Sequence, residues 1–117
     1  MLMWREEHGV WLPPVDVYET GNSWIVHMEL PGVDFQDLEL TVTHDTLQVS
    51  GEKKIPSGNL STLRLEIYTG SFKREIQFPD CIDVPNVTAV MDSGILTVTL
   101  PRSESAKIRI PVGPSER

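Results

Sequence analysis

The 117-residue sequence holds a single cysteine, Cys81, and so cannot close an internal disulfide. A reducing compartment follows as the expectation, and the cytoplasm is the expected location. Long apolar runs are missing as well. A transmembrane helix needs about 20 consecutive apolar residues, and none of the runs here exceeds a few, so stable membrane insertion is not expected. The start, Met1-Leu2-Met3-Trp4-Arg5-Glu6-Glu7, lacks the basic opening and apolar stretch of a secretory signal. Basic charge is scarce: 10 Lys+Arg stand against 17 Asp+Glu, a formal net charge of −7. Without a basic stripe, nucleic acid and anionic lipid are not expected as main partners. Helical periodicity is also absent, because no segment keeps apolar residues at helical spacing over several turns.

Catalytic patterns are equally thin. His8, His27 and His44 are far apart and lack the close His or Cys spacing of a zinc site. Cys81 has no neighbouring base to lower its pKa, as a thiol nucleophile requires. No glycine-rich phosphate loop precedes a helix, and no nucleophile elbow is present. Glu52, Glu66 and Glu75 alternate with apolar residues, which favours solvent-facing strand positions. Carboxylates distant in sequence meet as a glycosidase-type pair only in a fold, so pattern alone leaves that option open. The expectation is a protein that is not an enzyme and needs no cofactor or metal.

What is present is period-2 alternation cut by nine Pro and eight Gly. Val15–Tyr18 alternates and ends at Gly21-Asn22. Trp24–Leu30 follows and stops at Pro31-Gly32. Leu38, Leu40 and Val42 share one strand face, and His44-Asp45 turns the chain into Thr46–Ser50. Residues 53–63 form the longest break, with Pro56, Ser57, Gly58 and Asn59 as turn formers. Leu63, Leu65 and Ile67 then alternate with Arg64 and Glu66, and Phe72–Phe78 continues to Pro79. Val87–Met91, the turn Asp92-Ser93-Gly94 and Ile95–Leu100 complete the pattern. Seven or eight short strands at this spacing predict an all-β sandwich. One helical turn is expected at Phe35-Gln36-Asp37, capped by the Asp34 side chain. Trp4 and Trp11 precede the first strand, where they either pack over an open end of the sandwich or contact a partner.

Several segments then fall into one order: Pro14–Thr20, Glu29-Leu30-Pro31-Gly32-Val33, Gly51-Glu52-Lys53-Lys54, Gly70–Arg74 and Ala89–Pro101. Together they closely resemble the small heat shock protein (α-crystallin) family of the bacterial and plant type. The most specific part is Ala89 with Gly94-Ile95-Leu96, the family's A-x-x-x-x-G-x-L signature. The resemblance implies an immunoglobulin-like β-sandwich of two antiparallel sheets. It implies ATP-independent holding of unfolding client proteins, and homo-oligomers built from dimers that exchange a strand from the 53–63 loop. It also implies that Ile108-Arg109-Ile110 inserts into a groove on a neighbouring subunit. On an extended segment Ile108 and Ile110 point the same way while Arg109 stays wet. Leu38, Leu40, Val42 and Val90 are the expected groove lining, and Glu66 with Arg74 the expected intersubunit ion pair. Trp4 and Trp11 are the expected client contacts in the arm.

The expected organisation is a short arm over 1–12, a sandwich over 13–101 and a tail over 102–117. A rival reading is a co-chaperone or scaffold sandwich that binds a folded partner; the Ile-x-Ile tail and the signature count against it. A carbohydrate-binding or adhesion sandwich is the third, and the free Cys81 counts against that.

Overall fold

The computed structural model describes residues 11–56, 58, 60–103 and 110–115. Among them run strands β1 (Val15–Glu19), β2 (Ser23–Glu29), β3 (Leu38–Val42), β4 (Thr46–Lys53), β5 (Gly70–Gln77), β6 (Thr88–Asp92) and β7 (Ile95–Pro101). They form two antiparallel sheets, one ordered β1-β2-β7-β6 and the other β3-β4-β5. The expected sandwich is therefore what the chain builds.

Alternation explains how the layers meet. In β2, Trp24, Val26 and Met28 are buried while Ser23, Ile25 and His27 are less so. Register places them opposite Leu100, Val98 and Leu96 of β7, on the same face. Leu47 and Val49 of β4 and Phe72 of β5 close the core from the other sheet, and the Trp24 and Phe78 rings lie 4.8 Å apart. Each such side chain contributes about 1.5–3 kcal/mol on leaving water. Val26 and Val98 are fully buried, so Val98→Asp would put an unpaired charge in the centre of the sandwich.

The turns obey local chemistry. The β6–β7 hairpin has Ser93 at φ 53° and Gly94 at φ 77°, the two positive values that a two-residue primed turn demands. Gly94 also accepts a hydrogen bond from Leu30 N–H at 2.7 Å, and a Cβ on Gly94 would sit 3.4 Å from Pro31 Cα. The Pro31-Gly32 corner and the Ser93-Gly94 hairpin, distant in sequence, thus pack on one another. Between β3 and β4, His44-Asp45 is closed by Thr43 N–H to the Thr46 carbonyl at 2.9 Å. The backbone carbonyls of Asp45 and His44 then accept from Phe78 and Ile82, which ties the β5–β6 connection to this turn. The expected helical turn is a 3-10 helix at Phe35–Asp37, with Asp34 as its cap accepting from Gln36 N–H at 3.3 Å.

Two local features differ from the sequence expectation. Val84–Asn86 forms a second 3-10 helix, which carries Pro85 in its first turn, where proline's missing N–H costs nothing. Leu63–Ile67 forms no strand, although its alternation is clean. A strand needs an edge to pair with, and this chain brings none to the segment.

Candidate functional site

The two sheets are unequal, four strands over three, and this leaves an apolar groove where their edges face each other. Strand β3 ends one sheet and β6 ends the other. Leu38 and Leu40 form one wall, Ala89 and Met91 the opposite wall, with Leu96 at the base and Phe35 at one end. The groove, open to solvent, has a volume of about 390 Å³. The walls follow from strand parity. Leu38 and Leu40 point inward from β3 while Glu39 and Thr41 are exposed. Met91 pairs with Leu96 and Ala89 with Val98, so both share the inward face of their buried partners.

The expected lining is only partly what the groove contains. Leu38 and Leu40 lie in it. Val42 is on the same face of β3 and, like Leu38 and Leu40, packs against the core, but it does not line the groove. Val90 is turned the other way: it pairs with Thr97 on the outer face of the sheet and is 61% exposed. Ala89 and Met91 take its place. The signal was in the sequence, because a two-residue Ser93-Gly94 turn sets Asp92 opposite Ile95, and hence Met91 beside Leu96. Phe35 had no such signal; it projects from the 3-10 helix and is 66% exposed.

The other expected residues fall as follows. Ile110 is 77% exposed and touches neither wall of the groove, whereas Ile108 lies outside the described residues. Glu66 accepts from Arg64 Nη1 at 3.1 Å, and Arg74 Nη1 donates to the Pro13 carbonyl at 2.9 Å. Trp4 is outside the described residues. Trp11 packs on the sandwich: its ring meets Phe72 edge-on at 5.3 Å and Tyr68 at 5.6 Å, with Lys53 Nζ 5.4 Å from its centroid. A backbone bridge between Trp11 and Phe72 lays this segment along the free edge of β5.

A second set of apolar side chains is exposed along the connection from β4 to β5. Ile55, Leu60, Leu63, Leu65 and Ile67 all face solvent, Leu63 at 98%. The β1 edge is also partly uncovered: Val17 shares the inward face of Val26 yet is exposed.

Among the described residues no polar or charged residue is buried, and no three His, Cys, Asp or Glu are gathered to hold a metal. The shifted groups are structural. Asp45 is held below the ordinary carboxylate range, mainly by the Thr46 hydroxyl donating to it at 2.9 Å. Lys54 is raised by its hydrogen bond to Asp37, 3.1 Å away, and Tyr18 by its hydrogen bond to Asp16. None of the three lines the groove. Among the described residues no helix is long and apolar enough to cross a membrane.

The fold is an immunoglobulin-like sandwich, and its described surface carries an apolar groove and an exposed apolar loop, features that suit binding. Residues 16–113 match the family model for the Hsp20/alpha crystallin family. The chain belongs to this small heat shock protein family, whose members are chaperones and not enzymes. It is 35% identical over 107 residues to the 18 kDa heat shock protein of Streptomyces albus G, covering 88% of this chain and 74% of that one. It is 37% identical over 115 residues to spore protein SP21 of Stigmatella aurantiaca, covering 95% of this chain and 68% of that one. The solved structure of heat shock protein 16.0 from Schizosaccharomyces pombe superposes with a TM-score of 0.73 at 31% identity, covering 90% of this chain and 99% of that one.

Proposed function

We propose that this chain is an ATP-independent holdase that captures unfolding client proteins in the cytoplasm and limits their aggregation. The observation that carries the reading is the solvent-facing apolar series Ile55, Leu60, Leu63, Leu65 and Ile67 on a chain with a net charge of −7. Scattered apolar residues on a surface mean little, but a concentrated series marks an interaction site. The acidic charge keeps such a surface soluble. Capture needs no hydrolysis, since binding the unfolded state alone withdraws it from aggregation.

Assembly uses the same exposed groups. The organisation is an arm over 1–12, a sandwich over 13–101 and a tail over 102–117. Dimers form when the long loop of one chain, within residues 53–63, lends a strand to β1 of another. Glu66 of one chain meets Arg74 of the other across that contact. Dimers then join when Ile108 and Ile110 of one chain enter the β3–β6 groove of the next. Clients are gripped by apolar groups, Trp4 and Trp11 included, with no nucleic acid partner and no stable membrane insertion.

The test is aggregation of a heat-labile client followed by light scattering without nucleotide. The intact chain slows the rise in scattering at substoichiometric amounts. No protection at several-fold excess would sink the reading. In parallel, the intact chain exceeds dimer mass by light scattering, and Ile108→Ser/Ile110→Ser falls to a dimer.

A further inference from the structure

The tail is longer in apolar pattern than the two-residue motif requires. After Ile108 and Ile110 comes Val112, so the sequence reads Ile-Arg-Ile-Pro-Val with three apolar residues at a period of 2. Val112 is 95% exposed and Ile110 is 77% exposed, so the chain's own sandwich leaves both without cover. Pro111 cannot donate to a ladder and favours an extended backbone at Ile110, and on an extended segment residues two apart point the same way.

The groove has a matching excess. Leu38 and Leu40 are two residues apart and give a wall about 7 Å long, one step of a strand's period. Two aliphatic side chains at the same spacing fill that wall. Phe35 lies beyond it, on the 3-10 helix that leads into β3, and presents an exposed ring to the same groove. A triplet at period 2 spans two such steps, about 13 Å, and needs the additional apolar wall that Phe35 supplies.

We infer that the groove has a third subsite, walled by Phe35, and that its occupant is the Ile108–Val112 segment of a second copy of this chain. The inference rests on the tail–groove reading above and extends it. Charge agrees with this occupant. Lys107 and Arg109 flank Ile108, while Glu39 on β3 and Asp92 on β6 stand exposed beside the groove walls. The segment's alternation directs Arg109 away from the walls toward that acidic rim. Exposure also tells against a purely local role for the ring, because Phe35 is not among the buried core residues.

The experiment uses the full chain and follows assembly mass against protein concentration by sedimentation velocity. The variants are Ile110→Ser, Val112→Ser, Phe35→Ser and the pair Val112→Ser/Phe35→Ser. Each position is exposed in the single chain, so folding is preserved, and circular dichroism verifies this. Val112→Ser and Phe35→Ser each raise the concentration at half-assembly about tenfold, the equivalent of losing one buried apolar contact. The pair weakens assembly no further than the stronger single variant, because the two residues share one contact. Phe35→Leu retains most of the assembly. If Ile110→Ser dissociates the assembly but Val112→Ser and Phe35→Ser do not, the third subsite is overturned and the two-position contact stands. If Ile110→Ser also leaves the mass unchanged, the tail is not the occupant and both readings fail. Additive losses in the pair overturn the contact between Phe35 and Val112.

Discussion

Gly51 sits on β4, the central strand of the smaller sheet, opposite Leu38 on one side and Phe72 on the other. Its φ is not positive, so the reason for glycine here is space rather than backbone freedom. A Cβ at this position would lie 2.5 Å from the Asp37 carbonyl oxygen, 2.9 Å from Phe72 Cζ and 3.2 Å from Leu38 Cδ2. The first contact is with backbone and has no rotamer by which to escape. Forcing the methyl in displaces the junction between the 3-10 helix and β3, an overpacking cost of about 2–3 kcal/mol. The lower entropy of the unfolded alanine chain offsets about 0.4–1 kcal/mol of this. The net loss of about 1–2.5 kcal/mol lowers the melting temperature by roughly 5–15 °C. Calorimetry at one fixed protein concentration measures it, since an assembling protein melts at a concentration-dependent temperature. Gly21→Ala is the control, with nothing within 4 Å of its Cβ and no positive φ, and it leaves stability unchanged or slightly raised. Leu38 is both a victim of the clash and a wall of the groove, so on the proposed tail–groove contact Gly51→Ala also loosens assembly. A Gly51→Ala protein that melts within about 2 °C of the parent refutes the reasoning.

Three further perturbations test other parts of the structure. Ser93 holds φ 53°, which asparagine tolerates better than serine, so Ser93→Asn raises the melting temperature by about 2–4 °C; a fall would refute the turn assignment. Trp11→Ala strips the ring contacts to Phe72 and Tyr68 and costs about 2 kcal/mol, read as a lower urea midpoint at unchanged slope; an unmoved midpoint means the segment does not pack on β5 in solution. The folded pKa of Asp45 is depressed, so its contribution is present above the unfolded carboxylate pKa and disappears as pH falls through the lower folded value. Acid titrations of stability for the parent and Asp45→Asn therefore separate at neutral pH and converge once both values are passed; parallel curves count against the Thr46 hydrogen bond as the cause.

The sandwich was legible because its signals are local. Trp24, Val26 and Met28 alternate with polar residues and stop at Pro31-Gly32, and Asp34 announces its 3-10 helix through a side chain two residues from the N–H it accepts. Ser93-Gly94 fixes its hairpin by backbone sterics alone. The site was less legible because it depends on parity and on contacts between distant segments. Val90 and Met91 look alike in composition, and only the register to Leu96 and Thr97 tells which one faces the groove. Phe35 is invisible to a period-2 pattern, being on the helical turn before the strand. Leu63, Leu65 and Ile67 read as a strand because their pattern is that of one, but no pattern states which chain carries the edge they would pair with.

That last point connects the exposed apolar groups to the topology. Two open sheets have four edge strands, here β1, β6, β3 and β5. Natural sheets seldom leave such edges uncovered, since each is a row of unsatisfied donors and acceptors. The β5 edge is met by Trp11 and by Arg74 reaching the Pro13 carbonyl. The β3 and β6 edges together make the groove, and the β1 edge stands beside an uncovered Val17. On the proposed reading the two sets of exposed apolar residues correspond to the edges still open: the tail to β3 and β6, the long loop to β1. An edge strand filled by a neighbour of the same sequence is fixed in register and loses its capacity for indiscriminate pairing. The same edges released by dissociation are apolar, extended and unpaired, the surface an unfolding chain needs. Assembly and capture then compete for one set of groups, so a tail variant that frees the groove should raise client capture per subunit even as the assembly shrinks.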